Sequence, residues 1–330
     1  MTLTEIAAAC GLAPSTVSRA MSNPSRVNAA TYDRIVRKAQ DMGYQSAMLP
    51  GRHEQLARGT IALVLPNLTN PYNLDVIRGS QAQTQAAGYL HLLVSSEESV
   101  QVESDWLAEL SRTVDAVVLA TPRAEDEVLS SFADTVPIAV LNRRVEGLCG
   151  IVVDTPAGLS QALDYLVSLG HRRIAYVRGP IGSWSDRVRF EALTQRADGH
   201  GVELLPVGHF QPSLAAGAAA ADVVAMTAAT AVIFFNDTLA IGALGRFRTT
   251  GVRVPEDLSV IGCDDMYGAS FTDPPLTTVT SPGERAGRAV TDLVIGRIGS
   301  KDRTRRVDRL ATHLTVRSST GPVPADRAPL

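Results

Sequence analysis

Asn236-Asp237 and Asp264-Asp265 each follow directly on a short apolar run, Ala231–Phe235 and Ser259–Cys263. Runs of that length read as buried strands, so the amide and carboxylate groups collect at strand ends where several can face one ligand. A carboxylate accepts pairs of hydroxyl hydrogens, which suits a polyhydroxylated molecule. Tyr72 and Trp184 offer flat faces for the apolar side of a sugar ring, and each could equally be packing. For Asp237 and Asp265, helix capping is the reading adopted. A second group, Pro14, Ser15, Ser18 and Arg19, falls on one face of a short helical stretch near the amino terminus. Short hydroxyls beside an arginine suit base edges in a DNA major groove and phosphates, although any one of them alone reads as a solvated face.

Catalytic chemistry is not expected. Gly-x-Ser-x-Gly, Walker and dinucleotide motifs are missing from the sequence, and adjacent Asp264 and Asp265 point apart on a strand, which weakens a two-carboxylate mechanism. Cys10, Cys149 and Cys263 are scattered, giving neither a metal motif nor a disulfide framework and suiting a reducing compartment. No cofactor or metal is expected.

The amino-terminal residues must be positioned by helices. Thr2 and Glu5 form a Thr-x-x-Glu capping box for a first helix that Gly11 ends. Pro14 opens a second, running to about Met21, and Asn23-Pro24 stops it. Ile6, Ala7, Cys10, Leu12 and Val17 then face one another across a steep crossing, which is helix-turn-helix spacing. A third helix, capped by Asn28 and closed by Gly43, adds Ile35, Ala39 and Met42. Residues 1–46 carry five basic groups against three acids, and the whole chain has a net charge of −3. One such head would hold DNA weakly, so two heads on one pseudo-palindromic duplex, and hence a homodimer, are expected.

From Thr60 onward apolar runs alternate with helical stretches: Ile61–Leu65, Tyr89–Val94, Ala116–Leu119, Ile138–Leu141, Ile174–Val177, Ala231–Phe235 and Ser259–Ile261. Short buried strands separated by helices predict doubly wound parallel sheets. Two α/β lobes fit, one over about 60–155 plus 281–310 and one over about 156–278 plus 311–320. An amphipathic helix over Arg285–Ile298 returns to the first lobe, and Thr312–Val316 adds a strand to the second. Residues 47–59 read as a linker and 321–330 as a flexible tail, proline-rich and without the heptads a tetramerising coiled coil needs. No run of ~18 apolar residues predicts a membrane span, and the amino terminus carries a capped helix in place of a signal segment. A cytoplasmic protein is expected.

The segments "TLTEIAAACGLAPSTVSRAMSNPSRVNAATYDRIVRKAQDMGY", "IALVLPNLTNPY", "LGHRRIAYVRGP", "FFNDTLAIGAL", "VPEDLSVIGCDD" and "PPLTTV" occur in that order. Together they resemble the LacI/GalR family of bacterial transcription regulators over nearly the whole chain. The resemblance implies an all-α helix-turn-helix head, a core of the periplasmic-binding-protein type I kind, and a ligand cleft between the lobes. It carries DNA contact onto Thr4, Pro14, Ser15, Thr16, Ser18, Arg19, Asn28 and Thr31. It carries effector contact onto Arg189, Asn236 and Asp264, with Asn73 in a slot where the family often has a second aromatic, a replacement favouring hydroxyl recognition. The family's linker folds on DNA into a hinge helix with a leucine wedged in the minor groove. Here that slot falls on His53 and Pro50-Gly51 interrupts an early helix, so Leu49 or Leu56 takes the role or the linker is plain and flexible. The implied function is an effector-responsive repressor that binds operator DNA as a dimer and responds to a sugar. An exported sugar-binding protein is the competing reading for residues 60–320, and the amino-terminal head argues against it.

Overall fold

A computed structural model describes residues 3–22, 27, 28, 31, 34, 35, 38, 59–300 and 306–324. The chain divides into two units, Met1–Arg58 and Gly59–Leu330. In the first, helices Leu3–Cys10 (α1) and Pro14–Ser22 (α2) are joined at Gly11, whose φ of 61° is the left-handed value that ends α1. The Leu12 N–H donates to Ala7 O at 2.9 Å, turning the chain at once into α2. Ile6, Ala7, Cys10, Val17 and Ile35 form one buried cluster, with Leu12 packed against it. Thr31, Arg34, Ile35 and Lys38 are helical. The expectations for Thr2, Asn23-Pro24, Ala39, Met42, Gly43, the linker residues Leu49, Pro50-Gly51, His53 and Leu56, and the end of the tail lie outside the described residues.

The second unit holds two six-stranded sheets. The first comprises Thr60–Leu65 (β1), Leu90–Ser95 (β2), Ala116–Ala120 (β3), Ile138–Leu141 (β4), Cys149–Val153 (β5) and Val307–Leu310 (β11), in the order β11-β5-β4-β3-β1-β2 and parallel throughout. The second comprises Arg173–Arg178 (β6), Glu203–His209 (β7), Ala231–Phe234 (β8), Ser259–Asp264 (β9), Thr277–Thr280 (β10) and His313–Thr315 (β12), in the order β12-β10-β9-β8-β6-β7. Only β12 runs antiparallel, against β10. Helices Tyr72–Ala86 (α3), Val100–Thr113 (α4), Asp126–Ala133 (α5) and Gly283–Ile295 (α10) flank the first sheet, and Thr155–Ser168 (α6), Trp184–His200 (α7), Leu214–Ala225 (α8) and Asp237–Thr250 (α9) the second. The chain passes between lobes three times, at 153–155, 280–283 and 310–313.

The helix expected over Arg285–Ile298 starts and stops earlier, at Gly283–Ile295. Five strands lie outside the apolar runs that marked the others: β5, whose short run Ile151–Val153 follows Gly150, and β7, β10, β11 and β12, of which β12 falls within the strand expected over Thr312–Val316. Edge strand β7 contains Pro206, tolerated because an edge need not donate on its outer side. No helix among the described residues is long and apolar enough to cross a membrane.

Each lobe has one helix pair in contact through glycine. A Cβ on Gly79 of α3 would lie 1.9 Å from Glu284 O of α10, and one on Gly287 of α10 would lie 2.2 Å from Val76 O. In the other lobe Gly217 and Gly242 stand 2.2 and 2.1 Å from backbone carbonyls of the partner helix by the same construction. Gly79→Ala is therefore expected to destabilise the chain by about 3 kcal/mol, because backbone cannot step aside as a side chain can. Gly245→Ala, where a Cβ meets nothing within 4 Å, is expected to raise stability slightly through helix propensity. Denaturant unfolding of both variants checks the pair.

Candidate effector cavity

The carboxyl ends of both sheets open onto one cavity, whose empty space including open solvent at its mouth is ≈ 640 Å³. Tyr72 and Asn73 enter it from the start of α3, Arg189 from α7, and Asp264 from the end of β9. Ser183 caps α7, its side chain accepting from Asp186 N–H, which fixes the turn from which Arg189 projects.

Arg189 is 7 % exposed and ties three segments together. Its Nε donates to Thr155 Oγ1 at 3.0 Å, Nη1 donates to Phe235 O at 2.6 Å, and Nη2 stands 3.6 Å from Asp264 Oδ1. The guanidinium also lies 4.7 Å from the Phe235 ring centre. On the facing lobe Asn142 Nδ2 donates to Tyr72 Oη at 3.1 Å, while Asn142 Oδ1 accepts from Val153 N–H. Burial pushes the Tyr72 phenol well above its ordinary value, outweighing that bond. Asn73 Nδ2 donates to Asn67 O at 2.7 Å, bracing the loop before α3.

Trp184 is not among the main cavity's lining. It lines a smaller adjoining chamber together with Tyr72, Asn142, Arg189, Asp264 and Ser281. Asn236 is also outside the lining: it is the amino-terminal cap of α9, its Oδ1 accepting from Leu239 N–H at 3.1 Å, and Phe235 forms the wall beside it. The cap expected of Asp237 thus belongs to Asn236, one residue earlier. Asp265 caps nothing either; its carboxylate accepts from Arg317 and from Thr280.

Several lining residues were not anticipated from sequence. Asn142 ends the apolar run Ile138–Leu141 and was discoverable by the strand-end logic applied to Asn236. Thr155 follows β5, a strand the apolar pattern did not reveal. Glu98 and Arg123 form an ion pair on the first lobe's wall, with Glu98 also accepting from Asn67 Nδ2 at 2.8 Å. The Arg123 loop is held by Glu103, which accepts from Arg123 N–H and Ala124 N–H, and by Arg143, which donates to Pro122 O and Ala124 O. Nothing local in the sequence pairs these residues.

On the head, Pro14, Ser15 and Ser18 are exposed, Thr16 is half-buried and Val17 is buried; Thr4 and Asn28 are exposed and Thr31 half-buried. The Arg19 side chain lies outside the described residues.

Two buried acids set a pH signature. Burial pushes Asp264 up to about 6 against the lowering pull of Arg189, and burial, then the Asp264 charge, pushes Asp237 up to about 7. Both folded values lie above the 3.8 of a free aspartate, so the folded chain keeps protons that the unfolded chain releases. Their contribution is fully present below about pH 4 and is lost as pH rises toward 7. Asp237→Asn, with no proton to lose, is expected to flatten this dependence by on the order of a few kcal/mol between pH 4 and 7. Calorimetric melting across that range, compared with wild type, measures it.

Residues 2–46 match the family described as bacterial regulatory proteins, lacI family, and residues 163–320 match the periplasmic binding protein-like domain. The HTH-type transcriptional regulator DegA of Bacillus subtilis (strain 168) is 28% identical over 98% of each chain. The HTH-type transcriptional repressor CytR of Escherichia coli (strain K12) is 26% identical over 98% of this chain and 97% of its own. Among solved structures, the transcriptional regulator CelR–cellobiose complex superposes with a TM-score of 0.71 at 27% identity, covering 97% of this chain and 99% of that one. Helix-turn-helix head, paired parallel-sheet lobes and full-length relatives agree: the chain joins a head domain of the lacI family of bacterial regulatory proteins to a periplasmic binding protein-like core, and is similar over its whole length to regulators of that kind.

Proposed function

We propose that this chain is a DNA-binding transcriptional regulator, acting as a repressor, whose operator affinity is set by a small sugar held between the lobes. The observation that carries the reading is the convergence of Tyr72, Asn142, Arg189 and Asp264, drawn from both lobes, on one cavity. Both arginines lining it already face carboxylates, Arg189 beside Asp264 and Arg123 beside Glu98. Such a wall offers donors and acceptors side by side with little uncompensated charge. A sugar hydroxyl suits it, since it accepts from a guanidinium while donating to a carboxylate. The cellobiose held by CelR is a ligand of this chemistry; Asn73, which lines the cavity, and Asn236 and Trp184 beside it are further effector candidates.

A ligand spanning both lobes favours one lobe arrangement, and operator affinity shifts by the difference in its binding free energy between arrangements. The protein acts by binding, without catalysis, in the cytoplasm. As a dimer it sets two heads on a pseudo-palindromic operator, with base and phosphate contacts assigned to Thr4, Pro14, Ser15, Thr16, Ser18, Arg19, Asn28 and Thr31. The linker residues Leu49, His53 and Leu56 are the candidates for the minor groove. A thermal-shift screen of mono- and disaccharides, followed by gel shifts of promoter DNA with and without the hit, tests the whole reading. Retarded DNA whose retardation changes with the sugar is expected; DNA that is never retarded would overturn it.

A further inference from the structure

Asp264 and Asp265, consecutive at the end of β9, have φ of 118° and 56°. Neither is glycine, so this left-handed backbone is disfavoured for both and persists only where surrounding bonds impose it. Those bonds converge on Asp237. This first residue of α9 is fully buried, and both its carboxylate oxygens are engaged by the turn and its support. Oδ2 accepts from Met266 N–H at 2.8 Å, and Oδ1 accepts from the Thr278 hydroxyl at 2.6 Å. The Thr278 oxygen in turn accepts from Asp265 N–H at 3.3 Å. Gly262 makes the arrangement possible, because a Cβ there would stand 2.1 Å from Asp237 Oδ1. From the opposite side Arg317 Nη2 and Thr280 Oγ1 hold the Asp265 carboxylate at 2.7 and 2.8 Å. With Asp265 and Met266 pinned, the Asp264 side chain faces the cavity and Arg189.

We propose that Asp237, acting through the Met266 amide and Thr278, is the positioning residue for Asp264: it holds the turn 264–266, left-handed at Asp264 and Asp265, that aims the Asp264 carboxylate at the effector. This rests on the reading of Asp264 as an effector contact. A buried carboxylate bonded to an N–H and a hydroxyl, with no cation in contact among the described residues, is costly to keep. Here its bonds go to the turn directly and through one relay. Asp237 touches no effector itself and works entirely through the backbone of its neighbours.

The test uses the full-length protein without ligand and compares Thr278→Val, which keeps shape but loses the hydroxyl, with Thr278→Ser, which keeps the hydroxyl. Amide hydrogen exchange is followed over residues 263–267 and, as a reference, over β8. In Thr278→Val the Asp265 and Met266 amides are expected to exchange about tenfold faster while β8 is unchanged, and Thr278→Ser should behave as wild type. Wild-type exchange at residues 265 and 266 in Thr278→Val overturns the proposal. So does an acceleration spread evenly over the turn and β8, which marks a merely structural threonine. The effector reading is examined separately by the response of Asp264→Asn operator binding to a panel of cellobiose, D-glucose and D-ribose. A response equal to that of wild type removes Asp264 from effector binding, and the positioning role with it, whatever the exchange data show.

Discussion

Arg189→Ala is expected to abolish the effector response and to lower folding stability by about 3–5 kcal/mol, the range for removing one partner of a buried ionic contact. The loss is not confined to Asp264. The Thr155 hydroxyl and the Phe235 carbonyl also lose their donor, and all three lie at the ends of different elements. Because Asp264 already titrates near 6 with Arg189 beside it, the unpaired carboxyl of the variant takes up a proton more readily still. The destabilisation should therefore be smaller at pH 5 than at pH 8, a dependence that simple loss of packing would not produce. Denaturant unfolding at the two pH values, with calorimetry against the sugar found by thermal-shift screening, measures both effects. Wild-type sugar affinity in a folded variant would exclude Arg189 from the site.

Arg19→Ala is expected to remove most operator affinity while leaving the fold intact. Arg19 sits on α2, where Pro14, Ser15 and Ser18 are exposed and Val17 alone of residues 14–18 is fully buried. One arginine contact to a base or phosphate is worth about 1–3 kcal/mol, and a dimer loses it at both half-sites, so a total of roughly 2–6 kcal/mol follows. Ser15→Ala should be milder and should relax sequence preference, because a lone hydroxyl makes one neutral hydrogen bond of about 1 kcal/mol. Gel shifts at fixed salt, alongside melting curves, separate a lost contact from lost folding; unchanged operator binding by Arg19→Ala would remove the arginine from the interface.

The architecture is legible in the order of residues alone. Central strands of parallel sheets are buried on both faces, so Ile61–Leu65, Ala116–Leu119, Ile174–Val177 and Ala231–Phe235 are continuous apolar runs that periodicity exposes directly. Gly11 and Pro14 mark the turn between the first two helices because backbone sterics act locally. Strands at edges or with glycine in them are less legible. In β7, Pro206 and Gly208 interrupt the pattern, and in β5, Gly150 is there because a Cβ would come 2.4 Å from Val140 O, a restriction set by a neighbouring strand.

Which polar groups meet is set by the folded arrangement of the elements. Asn236 and Asp237 are adjacent and chemically alike, yet one caps a helix and the other reaches under β9 to hold Met266 and Thr278. Arg189 finds Thr155, Phe235 and Asp264, each more than thirty residues away in sequence, because α7 crosses the ends of two strands and one interlobe passage. A hydrophobic pattern encodes which face of an element is buried, since burial free energy scales with apolar area and needs no particular partner. A hydrogen bond needs its partner within about 3 Å at the right angle. That condition depends on strand register, on helix crossings set by Gly79 and Gly217, and on the left-handed backbone at Asp264, none of which a local stretch of residues specifies.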